Sequence, residues 1–137
     1  MALTGAEVQA RLRDWLEAKV DGWSNVRLRP IAVSLGSGFS AEIFFVDVDF
    51  DSAQGPQSRT LVVRRQPTNF EVVLGSSLAL QGNMMAALDR LKVTPVPEWV
   101  GMELNPSVLE MPFLVMGRVD GQSATQRPNY NSEGWLA

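Results

Sequence analysis

Residues 35–65 read LGSGFSAEIFFVDVDFDSAQGPQSRTLVVRR, and the alternation within this stretch decides the fold. Gly36-Ser37-Gly38-Phe39-Ser40 is a glycine-rich turn. Glycine has no Cβ, so backbone N–H groups there can close on an anion without a side-chain clash. From Ala41 to Phe50 the chain alternates. Phe44, Val46, Val48 and Phe50 fall on one face; Ile43, Phe45, Asp47 and Asp49 fall on the other. Asp51 to Arg59, with Gly55 and Pro56, predicts a hairpin loop. Thr60 to Arg65 is β-branched and apolar until it ends in two arginines. Period-two alternation places Val62 and Arg64 on one face and Leu61, Val63 and Arg65 on the other.

Toward the N-terminus, Val26 to Leu35 predicts a strand, with Val33 and Leu35 on one face. Pro30 calls for an edge position or a bend. Thr4 and Glu7 have capping-box spacing, flanked by Leu3 and Val8 as a hydrophobic staple. Val8, Leu12, Trp15, Leu16 and Val20 make one apolar helical face, and Gly22 stops the helix.

Toward the C-terminus, Gln66 to Gly75 is irregular. Ser76 or Ser77 can cap a second helix running to about Lys92. Its apolar arc holds Leu78, Met84, Met85, Leu88 and Leu91, with Gln81 inside it. An amide so placed needs a partner. Thr94-Pro95-Val96-Pro97 leads into a short strand, Glu98 to Glu103. Asn105-Pro106 turns the chain. Leu109 to Val119 contains the apolar run Met111 to Met116, then Gly117-Arg118. Residues 121–131 are polar and loop-forming, and Ser132 to Leu136 reads as the start of a helix. The order is helix, three antiparallel strands, helix, two strands: an α+β layer pair with a five-stranded antiparallel sheet.

Composition narrows the chemistry. The 137 residues suffice for one domain with a real core. A net charge of −3 lacks the basic excess of a nucleic-acid footprint. The chain has no cysteine and no histidine, which excludes thiolate sites and every Ser-His or Cys-His nucleophile arrangement. No apolar run approaches a membrane span, and Glu7, Arg11, Arg13 and Asp14 stand where a signal peptide needs an apolar segment. The cytoplasm is the expected location. Asp47, Asp49 and Asp51 open like a calcium loop, but Ser52 and Ser58 occupy its glycine and closing glutamate positions. No metal site is expected in the chain.

Compared with the loop G-x-G-x-x-G-x-V of protein kinases, the glycine stretch supplies Gly36, Gly38, Ala41 and Ile43 and lacks the third glycine. Val62-Val63-Arg64-Arg65 is similar to V-A-I-K, with an arginine for the lysine. Arg64 could grip phosphate bidentately; the plainer reading is a strand ending in two solvated arginines. Gln81 stands where the partner glutamate would be, and its carbonyl can accept a hydrogen bond. Met116-Gly117-Arg118-Val119 is the candidate hinge, whose backbone would read a base.

Together these stretches resemble the N-terminal lobe of the aminoglycoside phosphotransferase family, which includes choline and homoserine kinases. They are most similar to its branch related to the kinase-like domain of acyl-CoA dehydrogenase fusion proteins. Leu35 to Ser40, Leu61 to Pro67, Val96 to Trp99, Pro112 to Met116, Val119 to Gly121 and Gly134 to Leu136 carry the resemblance in the family's order. It implies a protein-kinase-like nucleotide-binding lobe over residues 1–137. It implies ATP or GTP with Mg, and transfer of the γ-phosphoryl to a small-molecule hydroxyl. The site residues it implies are Gly36, Ser37, Gly38, Phe39, Ser40, Ile43, Val62, Arg64, Gln81, Met116, Gly117 and Val119. Arg64 takes the place of the phosphate-binding lysine.

The family's His-Gly-Asp catalytic loop and magnesium-binding aspartate belong to the C-terminal lobe. A chain without histidine cannot hold that loop, so no catalytic residue is expected here and the fragment alone should be inactive. The acceptor and the metal would meet the missing lobe. Two other functions stay open: a pseudokinase-like regulatory lobe, and an α+β module with no nucleotide role. Exposure of Ile43, Val62, Met116 and Val119 leads to an expectation of self-association.

Overall fold

The computed structural model describes residues 3–31, 42–66 and 78–121. The glycine turn at 36–40, the residues flanking it at 32–41, the segment 67–77 with its candidate caps, and the tail beyond 121 lie outside the described residues.

Helix α1 spans Gly5–Lys19. Its capping box is present: the Glu7 backbone N–H donates to the Thr4 hydroxyl at 3.2 Å, and the Thr4 N–H donates to the Glu7 carboxylate at 2.7 Å. The carboxylate sits below its ordinary value of 4.5, chiefly because it accepts that backbone hydrogen bond and a second from the Thr4 side chain. The helix ends at Lys19 with Val20 as its cap, and Gly22 lies in the following turn at φ +86°.

Five strands follow: β1 Ser24–Leu28, β2 Ile43–Ser52, β3 Gly55–Arg65, β4 Trp99–Glu103 and β5 Phe113–Gly117, with helix α2 at Leu78–Leu91 between β3 and β4. They form one antiparallel sheet in the order β1-β2-β3-β5-β4. The fold is the α+β arrangement expected of a kinase-like N-lobe, with the second helix between the third and fourth strands.

Three boundaries differ from the sequence reading. The first described strand is Ser24–Leu28, starting two residues earlier than expected, and Pro30 follows it. Ser24 pairs with Asp51 and Arg27 with Asp49, so two residues oppose one across a bulge at Asn25, φ +51°. The expected loop from Asp51 to Arg59 is mostly strand. The β2–β3 ladder runs to the pair Ser52–Gly55, leaving Ala53 and Gln54 as a tight turn before Gly55 at φ +99°. Backbone pairing needs no apolar side chains, so polar residues extend the hairpin beyond the core. The strand expected within Leu109 to Val119 is Phe113–Gly117.

The core lies between α1 and one face of the sheet. Val8, Leu12, Trp15 and Leu16 pack on Phe44, Val46, Val48, Phe50, Leu61, Val63, Phe113 and Val115. Trp15 meets Phe113 edge-on at 4.9 Å, and Trp23 stacks on Phe50 at 3.9 Å. Gly101 lets the indole of Trp15 approach β4: an added Cβ would lie 3.0 Å from the ring.

Helix α2 packs on the opposite face, over β4 and β5. The apolar arc read from the sequence is its buried side only in part: Leu78 is buried, and Met85 and Leu88 are half-buried. Met84 and Leu91 are 57% and 59% exposed, while Leu78 and Gly82 are buried. The face toward the sheet carries Leu78, Gln81, Gly82 and Asp89, at helical spacing. Gly82 makes the approach close, since a Cβ there would fall 2.4 Å from the Met102 sulfur and 3.1 Å from Trp99. Asp89 then ties the helix to β4 by accepting the Trp99 backbone N–H at 3.1 Å.

Candidate functional site

The register of the sheet decides which residues share a face. Phe45 pairs with Val62, and Val62 with Met116; Ile43 pairs with Arg64, and Arg64 with Leu114. Directly opposed residues in an antiparallel sheet point the same way. Ile43, Phe45, Val62, Arg64, Leu114 and Met116 therefore stand on the α2 side, away from the core. Helix α2 covers only the β4–β5 part of that face. The β2–β3 part is open, with Ile43 and Phe45 each 60% exposed.

At the border between covered and open halves, Arg64 Nη1 donates to Gln81 Oε1. Strand β3 supplies the cation and the first turn of α2 supplies the acceptor. This answers what an amide does on the sheet-facing side of the helix. No carboxylate forms an ion pair with Arg64 among the described residues. Gln81 is neutral, so this contact does not cancel the positive charge.

Arg65 points the other way, where only 2% of it is exposed. Its Nη1 donates to the Leu109 carbonyl at 3.0 Å, and its backbone N–H donates to the Glu42 carbonyl at 2.7 Å. Burial pushes its guanidinium below the ordinary arginine value, and the carboxylates of Glu110 and Glu42 partly offset this. Arg65 ties together two loop ends at the C-terminal end of the central strand β3. Arg64 is the arginine on the α2 face.

Of the remaining residues expected in the site, Ile43, Val62 and Met116 lie on the face with Arg64. Gly117 and Val119 follow at the end of β5, where Val119 is exposed. The backbone N–H of Gly117 donates to the Glu98 carbonyl at 2.7 Å, and that of Arg118 to Thr60 at 3.1 Å. Neither donor can also read a base. A donor from this segment has to come from Val119 onward. Gly36, Ser37, Gly38, Phe39 and Ser40 lie outside the described residues.

Residues 32–135 match the family model described as the phosphotransferase enzyme family. The chain belongs to the phosphotransferase enzyme family. The match covers the sheet from β2 onward and α2, and it agrees with the resemblance to the N-terminal region of aminoglycoside phosphotransferases. No curated protein matches the chain. In this member of the phosphotransferase enzyme family the arginine at the end of β3 and the amide on α2 are in hydrogen-bond contact.

Two side chains at the same face have no role in the sequence reading of the site, Phe45 and Arg118, the latter entering only as a backbone position of the candidate hinge. Arg118 crosses from the end of β5 so that its guanidinium carbon lies 5.4 Å from the ring centre of Phe45. The alternation of β2 had already placed Phe45 beside Ile43, and that parity was the available signal. Arg118 had none, because a residue beyond a strand end has no fixed face.

The aspartates of β2 are held by neighbours. Asp47 accepts from the Thr60 hydroxyl at 2.6 Å and Asp49 from Ser58 at 2.5 Å. The Ser58 hydrogen bond, aided by Arg29 and Arg27, keeps the Asp49 carboxyl below its ordinary range. Among the described residues no group of three or more carboxylate, histidine or cysteine side chains could hold a metal ion. No described helix is long and apolar enough to cross a membrane.

Proposed function

We propose that this lobe binds the polyphosphate and base of ATP or GTP for phosphorylation of a small-molecule hydroxyl. The Arg64–Gln81 contact carries the reading. It puts a cation with a neutral partner at the edge of an open apolar face, which suits a ligand with an anionic tail and a flat ring. Arg64 would orient the phosphates, and Ile43, Val62 and Met116 would cover the base. When bound, the nucleotide supplies the γ-phosphoryl group; catalysis of its transfer is mostly positioning and charge neutralisation.

None of the 137 residues is a histidine. In this reading the catalytic base and the Mg ligands come from a C-terminal lobe, the setting is cytoplasmic, and the nearest branch is that of the acyl-CoA dehydrogenase fusion proteins. The chain alone then binds ATP without turning it over. Phosphorus NMR tests this: ATP resonances should broaden with no accumulation of ADP. Turnover that survives repurification and is lost in Arg64→Ala would contradict it.

A pseudokinase-like regulatory lobe is the second reading, and Gln81 favours it. With no glutamate at that position, the charge pair that normally marks a competent lobe is absent. Under that reading calorimetry detects no nucleotide binding.

A further inference from the structure

The side chains of Phe45 and Arg118 have none of the roles given above, yet they lie on the nucleotide face. Phe45, Val62 and Met116 form a row across β2, β3 and β5. Neighbouring strands lie about 4.8 Å apart, so the row spans about 10 Å, enough for a flat bicyclic ring. Arg118 follows β5, and its N–H is fixed to the Thr60 carbonyl, two residue pairs beyond the row. From there its side chain crosses β3 and reaches the Phe45 ring.

Val62 is thus fenced on three sides: by Phe45 on β2, by Met116 on β5, and by Arg118 across the far end. The fourth side opens along β3 toward Arg64, about 7 Å away. An exposed aromatic ring held by a guanidinium is costly to leave bare and well suited to face another π system. The Asp120 carboxylate, 3.5 Å from Arg118 Nε, helps fix the arginine in place.

From this enclosure we infer that Phe45 and Arg118 are specificity-determining residues, closing the base end of the site and selecting a purine nucleotide over a base-free polyphosphate. The inference rests on the nucleotide reading above. The ring lies over Val62 with its phosphates running toward Arg64. Phe45 and Arg118 bound its outer edge, and neither touches the phosphates.

Calorimetric titration of the full chain with ATP, UTP and inorganic tripolyphosphate tests it. The variants are Phe45→Leu, which keeps an apolar side chain, Arg118→Gln and Arg64→Ala. Both residues are largely exposed, and melting curves check that the variants fold. Phe45→Leu and Arg118→Gln should each weaken ATP about tenfold, the scale of one lost stacking contact, and leave tripolyphosphate within about twofold. Arg64→Ala should weaken both ligands. The wild-type chain should prefer ATP to UTP. If Arg64→Ala weakens ATP while the Phe45 and Arg118 variants bind normally, the inference fails and the nucleotide reading stands. If neither ATP nor tripolyphosphate binds the wild-type chain, both fail.

Discussion

Arg64 and Arg65 follow one another on β3 and leave it on opposite faces, and their substitutions should separate accordingly. Arg65→Met takes the guanidinium donor away from the carbonyl of buried Leu109 and the cation away from the nearby, exposed carboxylates of Glu42 and Glu110. It should cost about 3 kcal/mol of stability in chemical denaturation. Arg64→Ala loses only one half-exposed contact and should cost less than about 1 kcal/mol. A large loss at Arg64 and a small one at Arg65 would reverse the assignment. Gln81→Glu tests the neutral partner. A carboxylate there pairs with Arg64 and cancels its charge, so metal-free triphosphate should bind several-fold more weakly by calorimetry. Unchanged binding would mean that Arg64 does not face the phosphates; tighter binding would mean that the carboxylate orients Arg64 more than it neutralises it. The parity of these two arginines was legible in the sequence because strand alternation is fixed. Which face carries the site was not, since that depends on which side each helix covers.

Elements were legible where a local rule sets them. The Thr4–Glu7 box marks the start of α1 within four residues. Helix α2 was legible only in part, because apolar type alone does not mark its buried side: Leu78 is buried, but Met84 and Leu91 are exposed. Its contact with the sheet depends on the absence of a side chain at Gly82 and on a polar tie at Asp89. The glycine inside a helix was the overlooked signal of close approach. The hairpin between β2 and β3 was under-read because polar strands lack an apolar pattern, although Asp47–Thr60 and Asp49–Ser58 show cross-strand pairing once register is known.

The carboxylate ties also make the elements acid-sensitive. Glu7, Asp49 and Asp89 all sit below their ordinary values, Asp89 mainly through Lys92 and then the Trp99 N–H. A depressed carboxylate contributes stability that is present above its unfolded value and lost as pH falls through the folded one. Melting temperature should therefore fall below about pH 4. Asp89→Asn should flatten part of that fall. An unchanged acid profile in the variant would show that the α2–β4 tie contributes nothing. Thr4→Ala removes one half of the box and should cost about 1 kcal/mol, read from the same melts.

At the scale of the whole molecule the two faces of the sheet differ. One is closed by α1 and tightly packed, so Gly101→Ala should destabilise the chain by about 1–3 kcal/mol despite the better strand propensity of alanine. The Trp15 ring, wedged against Phe113, cannot retreat from the new Cβ. A neutral or stabilising result would mean that this packing is loose. The other face is half open, with Ile43 and Phe45 exposed. Sedimentation of the chain at rising concentration should show self-association through this face, weakened by Ile43→Ser. A strictly monomeric chain would count against it. None of this asymmetry follows from composition; it comes from where the sequence places its two helices.

The phosphotransferase reading is decided on that open face. A 15N-labelled chain titrated with ATP should show shifts at Val62, Arg64, Gln81 and Met116 that saturate together, with Trp23 and Phe50 on the closed face unmoved. Absence of shifts, or shifts gathered around Trp23 and Phe50, would contradict it.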